Sequence, residues 1–418
     1  MNKFRHEIIA ILVFMFCAFG LNVYRVQGDG EYYFAVTERI LHIPDPESAP
    51  QFRELFFFSA GCAFFNAPFY MGAYGAEKAL GKKLDFNGIT LRSASINIAS
   101  NFYMILAILL MFRILKRLNV KYALISVLCV LFSTSAFAVS TVMPSYNHAV
   151  DIFLTTLFVF LIIRYHKEES GKLFWLGALY PLMITVRYFN FIVIVPVMLW
   201  LVLNREFRKC LVIVSGTAAT IWILPVIFIF YSHGTFLSGS NVESISKFPM
   251  LPVYGLKLLV HPIHGLFVWS PVTILSAIGL VKMTDGEKRN YGYLLAGFWA
   301  IFVFAYGYIS DWHAGWSFSN RYLSSLFPVY TIGLAYFIQR YGKWAMACAL
   351  AATAYSIFLF FNWYICVIHG QWGTPIDMIR AWVSGKSVYF SEGKVHARIF
   401  SRRVLNLFRY KHIAGLFR

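Results

Sequence analysis

Four short polar stretches interrupt an otherwise apolar chain, and each holds residue types suited to acid–base or anion chemistry. The first is QGDGEYY, where Asp29 stands between Gly28 and Gly30. A carboxylate there can accept a proton from a hydroxyl, and flanking glycines let another molecule come close. Read alone, Asp29 is equally a solvated carboxylate at a helix exit. Glu31 and Tyr32 lie in the same stretch and are candidate substrate contacts. The second is PSYNHAVD, which sets His148 and Asp151 one helical turn apart at the start of an apolar helix. Asp151 suits the helix dipole there, or it joins His148 in holding a phosphate or a sugar hydroxyl.

The third stretch has Arg187 in the middle of an apolar run, LMITVRYFNFIVIVP. Burying an arginine at such a place costs roughly 2.5–3.5 kcal/mol on insertion scales. It therefore needs a carboxylate partner or an anionic ligand. Guanidinium donors match phosphate oxygens, and a lipid phosphate is the preferred partner. The fourth is SDWHAGWSFSNRYL, which crowds Asp311, Trp312, His313, Trp316, Asn320 and Arg321 into one turn. Its tryptophans suit sugar faces as well as a membrane interface, and Arg321 suits an anion.

These residues are positioned by membrane helices. The chain has 418 residues, 59% hydrophobic and 13% charged, where a soluble protein carries about 25% charged residues. Apolar blocks fall at 8–23, 93–112, 122–142, 149–163, 173–203, 211–231, 265–281, 291–308, 322–338 and 344–361. We expect an all-α polytopic membrane protein, and the first block reads as a retained signal anchor. The block 173–203 would be about 46 Å long as one helix, against a hydrocarbon core of about 30 Å. Both its flanks are basic, so a hairpin of two short helices with Arg187 near the turn is expected. Pro181 and Pro196 are the candidate breakers. The count comes to about 11 transmembrane segments.

Charge orients the bundle. The net charge is +18, and the short basic gaps (for example Arg113, Lys116, Arg117 and Lys121) read as cytoplasmic. The N-terminus is then inside and the four polar stretches face outward. The excess charge suits anionic membrane lipids and a lipid phosphate, and no nucleic acid is implied. The outer loop 24–87 carries eight acidic and six basic residues with aromatic clusters. It is too long for a mere connector and suits short interfacial helices. Residues 1–361 form the transmembrane domain, and 362–418 a basic tail that is amphipathic over 395–418. The six cysteines form no C-x-x-C. Cys62 with Cys366 is the only pair placed on one side, and neither a disulfide framework nor a zinc site is suggested.

The order of these stretches resembles the GT-C superfamily of integral-membrane glycosyltransferases, near its protein mannosyltransferase and lipid A aminoarabinose transferase branch. The resemblance rests on GDGEYY, NAPFY, YNHAVDIFLTTL, LMITVRYFNFIVIVP, HGLFVWSPV and WHAGWSFSNRYL, which span residues 28–323. It implies a GT-C-like bundle and transfer of a sugar from a polyprenyl-phosphate donor, undecaprenyl phosphate in bacteria, at the outer face of the inner membrane. Asp29 matches the general base, and Arg187 and Arg321 match the arginines that hold the donor phosphate. Where the family shows a glycine or proline before the late-loop arginine, this chain has Ser319 and Asn320. Many relatives carry a folded domain after the last helix, whereas here a short tail follows, so acceptor recognition is not carried over.

The residues fit that chemistry. A carboxylate can deprotonate the acceptor, and an arginine can stabilise the leaving phosphate. No D-x-D stretch appears, so no metal or other cofactor is expected. A divalent ion on Asp29, Glu31 and Glu38 is the minor alternative. Three other functions remain open: a flippase or transporter of a lipid-linked sugar, a non-catalytic GT-C-like assembly subunit, and an outer-face ligase or polymerase that moves a whole glycan.

Overall fold

The computed structural model describes residues 5–22, 26, 28–41, 60–86, 89–166, 170–224, 253–309, 312–314 and 317–368. It is almost entirely helical. The expected tail helix at 395–418 lies outside the described residues. Helix α1 spans Arg5–Leu21. Loop 24–87 holds α2, Asp29–Ile40, and α3, Gly61–Leu80. A two-stranded antiparallel ribbon pairs Asp85 with Thr90 and Phe86 with Ile89. It delivers the chain to α4, Leu91–Arg117, whose first turn is capped by the Thr90 hydroxyl accepting from the Ser93 N–H.

Among the described residues, three helices are long and apolar enough to cross a bilayer: Leu91–Arg117, His148–Tyr165 (α7) and the last helix over Lys343–Tyr364. A fourth span is formed if α5, Ala123–Ser133, and α6, Ser135–Thr141, are taken together; they meet at 69°. The apolar block 122–142 is thus bent. Thr134 takes an extended backbone, and its hydroxyl accepts from the Ala136 N–H, so the broken ladder stays satisfied. The chain is a multi-pass membrane protein in which several apolar helices are shorter than a full span.

The block 173–203 does divide at Arg187. Helix α8, Phe174–Val186, stops there, Arg187 is extended, a 3-10 turn covers Tyr188–Ile192, and α9 runs over Ile194–Leu203. The prolines are not the break. Pro181 lies inside α8, and Pro196 lies in the first turn of α9, where a missing N–H costs nothing.

Helix α4 packs on α7 and on α3. Helix α8 packs on α10, Phe207–Thr220, with Gly177 against the backbone of Ile213 and Gly216 against that of Phe174. Small residues at such crossings let membrane helices approach closely. Helices Val272–Met283 and Phe327–Tyr341 meet in the same way at Gly279 and Gly333. Cys62 is a free, buried thiol at the start of α3, and the side chain of Cys366 lies outside the described residues.

Candidate active site

The start of α2 explains the two glycines beside Asp29. Gly28 has φ +56°, in the left-handed region that disfavours side chains. A methyl group on Gly28 would overlap the Tyr146 hydroxyl, and one on Gly30 would overlap Ser145. The glycines therefore press the first turn of α2 onto the loop between α6 and α7. Asp29 and Glu31 lie in that first turn, where a negative charge suits the helix dipole.

Helix α2 is held from its other end. Buried Glu38 accepts a hydrogen bond from the Tyr70 hydroxyl at 2.7 Å. Arg92 donates to that hydroxyl at 3.3 Å and pairs with Glu77 at 2.7 Å. This chain of groups joins α2, α3 and α4. Glu38 is thus turned away from Asp29 while Glu31 is exposed. The three carboxylates do not gather, and among the described residues no His, Cys, Asp and Glu cluster could hold a metal ion.

Asp29 forms an ion pair with Arg321, Nη2 to Oδ2, at 2.8 Å. Asp29 is 39% exposed and Arg321 only 11%. The guanidinium lies over the Tyr146 ring, 4.9 Å from its centroid. Arg321 Nε is buried with no hydrogen-bond partner among the described residues. One edge of the fork thus offers a donor beside the one that Asp29 uses.

Arg321 opens a 3-10 turn, Arg321–Leu326, and this turn gathers the other candidates. Ser325 donates to Asp151, and Ser324 pairs with Nδ1 of buried His148 at 3.3 Å. Tyr322 has both guanidinium groups near its ring, Arg187 at 5.6 Å and Arg321 at 6.0 Å, and stacks on Tyr306 at 5.2 Å. Arg187 is buried. It donates from Nη1 to Asp151 at 3.2 Å, to the Tyr322 carbonyl at 3.2 Å and to Ser325 at 3.1 Å. Asn190 also donates to Asp151, at 2.7 Å. Asp151 is fully buried and paired, as a buried charge must be. Its partners are therefore side chains rather than the N–H groups of its own helix.

The loop before Arg321 is strained. Ser319 has φ +53° and Ala314 φ +58°, uncommon for residues with a side chain. Ser319 adopts the backbone form that a glycine would favour, and its hydroxyl meets that of Ser270 at 3.0 Å. Asn320 caps the 3-10 turn, accepting from the Tyr322 N–H at 3.1 Å and donating to the Trp312 carbonyl at 2.7 Å. His264 is buried and donates from Nδ1 to the Ser319 carbonyl at 3.2 Å. Burial, helped by the charges of His313, Arg321 and His261, lowers its pKa to about 4. His313 lies 6.5 Å from the His264 ring and 5.8 Å from that of Trp312.

The structure thus brings together Asp29, Arg321, His148, Asp151 and Arg187, and sets His313 nearby. Glu31 and Tyr32 follow on α2, with Tyr32 half-buried. Asp311 and Trp316 lie outside the described residues. Sequence reasoning did not assign Tyr146, Tyr322, Ser325 or His264. Tyr146 stood two residues before His148 in a quoted motif, but a neutral aromatic there gives no sign of its ionic neighbours.

Residues 89–229 match the family model of dolichyl-phosphate-mannose-protein mannosyltransferase. The fold matches the crystal structure of ArnT from Cupriavidus metallidurans bound to undecaprenyl phosphate. The TM-score is 0.57 over 90% of this chain and 71% of that one, at 10% sequence identity. No curated protein sequence matches the chain.

Proposed function

We propose that this chain, which belongs by fold to the GT-C superfamily of membrane glycosyltransferases, near its protein mannosyltransferase and ArnT branch, moves a sugar from a polyprenyl-phosphate donor to an acceptor at the outer face of the inner membrane. The observation that carries this is the contact of Asp29 with Arg321 at 2.8 Å, beside a buried Nε that has no partner among the described residues. A base and an anion-binding group then stand side by side, as transfer from a phosphate leaving group requires.

In this reading Arg321 takes the donor phosphate through the edge formed by Nη2 and the unpartnered Nε. Two parallel N–H donors fit two phosphate oxygens, and the positive charge stabilises the phosphate as the glycosidic bond breaks. Asp29, released from Arg321, accepts the acceptor's hydroxyl proton as its oxygen attacks the anomeric carbon. Arg187 adds its charge from its place beside Tyr322 while holding Asp151. His148 and Asp151 line the base of the site, and Glu31, Tyr32, His313, Asp311 and Trp316 are the candidate contacts for sugar and acceptor. Anionic lipids around the basic loops are the expected surroundings.

The test is transfer in proteoliposomes supplied with radiolabelled undecaprenyl-phosphate sugars, comparing wild type with Asp29→Asn. We expect label to reach an acceptor and the variant to lose about 100-fold or more in rate, as removal of a general base does. Equal transfer by both would move the base to Asp151 or Asp311. Lipid-linked sugar crossing the bilayer without transfer would replace the enzyme with a flippase.

A further inference from the structure

We infer that Tyr146 is the positioning residue of this site, a platform that keeps Arg321 in place while its anionic partner changes. This rests on the reading of Arg321 as the phosphate group and Asp29 as the base. Tyr146 lies in the connection between α6 and α7 and is almost fully buried. It meets Arg321 and the turn that carries Asp29. The Arg321 guanidinium sits over its ring at 4.9 Å, and its hydroxyl lies at the backbone of Gly28, the residue before Asp29. The same hydroxyl sets how closely Gly28 approaches.

The geometry answers a physical difficulty. Arg321 is held by the Asp29 carboxylate. When a phosphate takes that place, a long side chain with many rotamers loses its anchor. A ring face attracts a guanidinium without using any of its N–H donors, because the attraction comes from the ring quadrupole. Arg321 can therefore exchange one anion for another along its edge while its face stays seated. The hydroxyl does the second task. It fixes the first turn of α2, so that Asp29 remains within reach of the reacting oxygen after it has let go of Arg321.

The two tasks separate by substitution. Tyr146→Phe keeps the ring and removes the hydroxyl; Tyr146→Leu removes both. Undecaprenyl-phosphate binding and transfer kinetics would be measured for both variants and wild type, each checked for a monodisperse peak in detergent. We expect Tyr146→Phe to keep lipid-phosphate affinity and donor KM within about threefold while kcat falls about tenfold, and Tyr146→Leu to weaken lipid-phosphate binding about tenfold as well. Equal binding by the Leu and Phe variants overturns the platform. An unchanged kcat in Tyr146→Phe overturns the task of the hydroxyl. If Tyr146→Leu fails to fold, Tyr146→Met against Tyr146→Phe makes the same comparison. If the wild type binds undecaprenyl phosphate but transfers no sugar, the proposed function falls, while the binding series still decides whether the ring seats Arg321.

Discussion

Asp29 and Arg321 meet at 2.8 Å although one opens the first loop and the other stands near the last helices. Because Asp29 is more than a third exposed, solvent screens the pair and it adds little to stability. Its weight falls on function. Arg321→Ala should lower kcat/KM by roughly 100-fold or more, the scale of one lost charge-stabilising group. Arg321→Lys should recover only part, because an ammonium cannot offer two parallel donors. Steady-state transfer rates for the two variants check this, and equal rates for Lys and wild type would count against bidentate phosphate binding.

Gly30 should not tolerate a side chain. A methyl group there would meet Ser145, and the first turn of α2 would have to move. We expect Gly30→Ala to cut transfer at least tenfold through displacement of Asp29, since small misplacements of reacting groups are costly. Ser145→Gly in the same chain should restore much of it. A double-mutant cycle on transfer rate reads the coupling, and additive losses would dissociate the glycine from the loop.

Asp151 and Arg187 form a buried pair with a structural cost. Removing one partner, as in Asp151→Ala, leaves an uncompensated buried charge and should destabilise the fold by about 3–5 kcal/mol. The thermal unfolding midpoint in detergent would fall accordingly. Asp151→Leu combined with Arg187→Met should regain stability yet lose donor affinity if Arg187 also serves the phosphate. Full recovery of both would confine Arg187 to the fold.

Stability should fall on acidification through His264. Its pKa in the folded chain is about 4, depressed from 6.5 by burial, so the unfolded chain binds the proton more readily. The contribution is full above pH 6.5, declines as pH drops, and is lost entirely near pH 4. Between pH 7 and 5 this amounts to about 2 kcal/mol. Unfolding midpoints at the two pH values, with and without His264→Phe, measure it. An unchanged pH response in the variant would place the sensitivity elsewhere.

Much of this arrangement can be read in the sequence where length and charge conflict. A 31-residue apolar run with basic flanks and Arg187 at its centre has to break, and it breaks at Arg187. The polar stretches around Asp29, His148 and Arg321 announce themselves because charge in an apolar chain needs a reason. The bend at Thr134 is marked by no charge, glycine or proline, only by the hydroxyl cluster Ser133, Thr134 and Ser135, which a continuous helix also tolerates. The link from Glu38 through Tyr70 and Arg92 to Glu77 joins three helices, and no local spacing reveals it. Ser319 shows the opposite effect. A serine in a glycine-like backbone form keeps the loop's shape while hiding it from any pattern of residue types.

The bend between α5 and α6 keeps this stretch from forming one straight span. Helix α5 has 11 residues, about 16 Å at 1.5 Å per residue, or half of a hydrocarbon core about 30 Å thick. From there the chain turns aside by 69° instead of climbing to the surface. The loop that follows, with Tyr146 and His148, is buried throughout 141–150. Polar backbone below the head groups survives only when wrapped by protein in this way. On the function proposed above, a lipid-linked donor would have to carry its phosphate inward from the head groups to meet these groups, reaching them sideways from the bilayer between walls of protein.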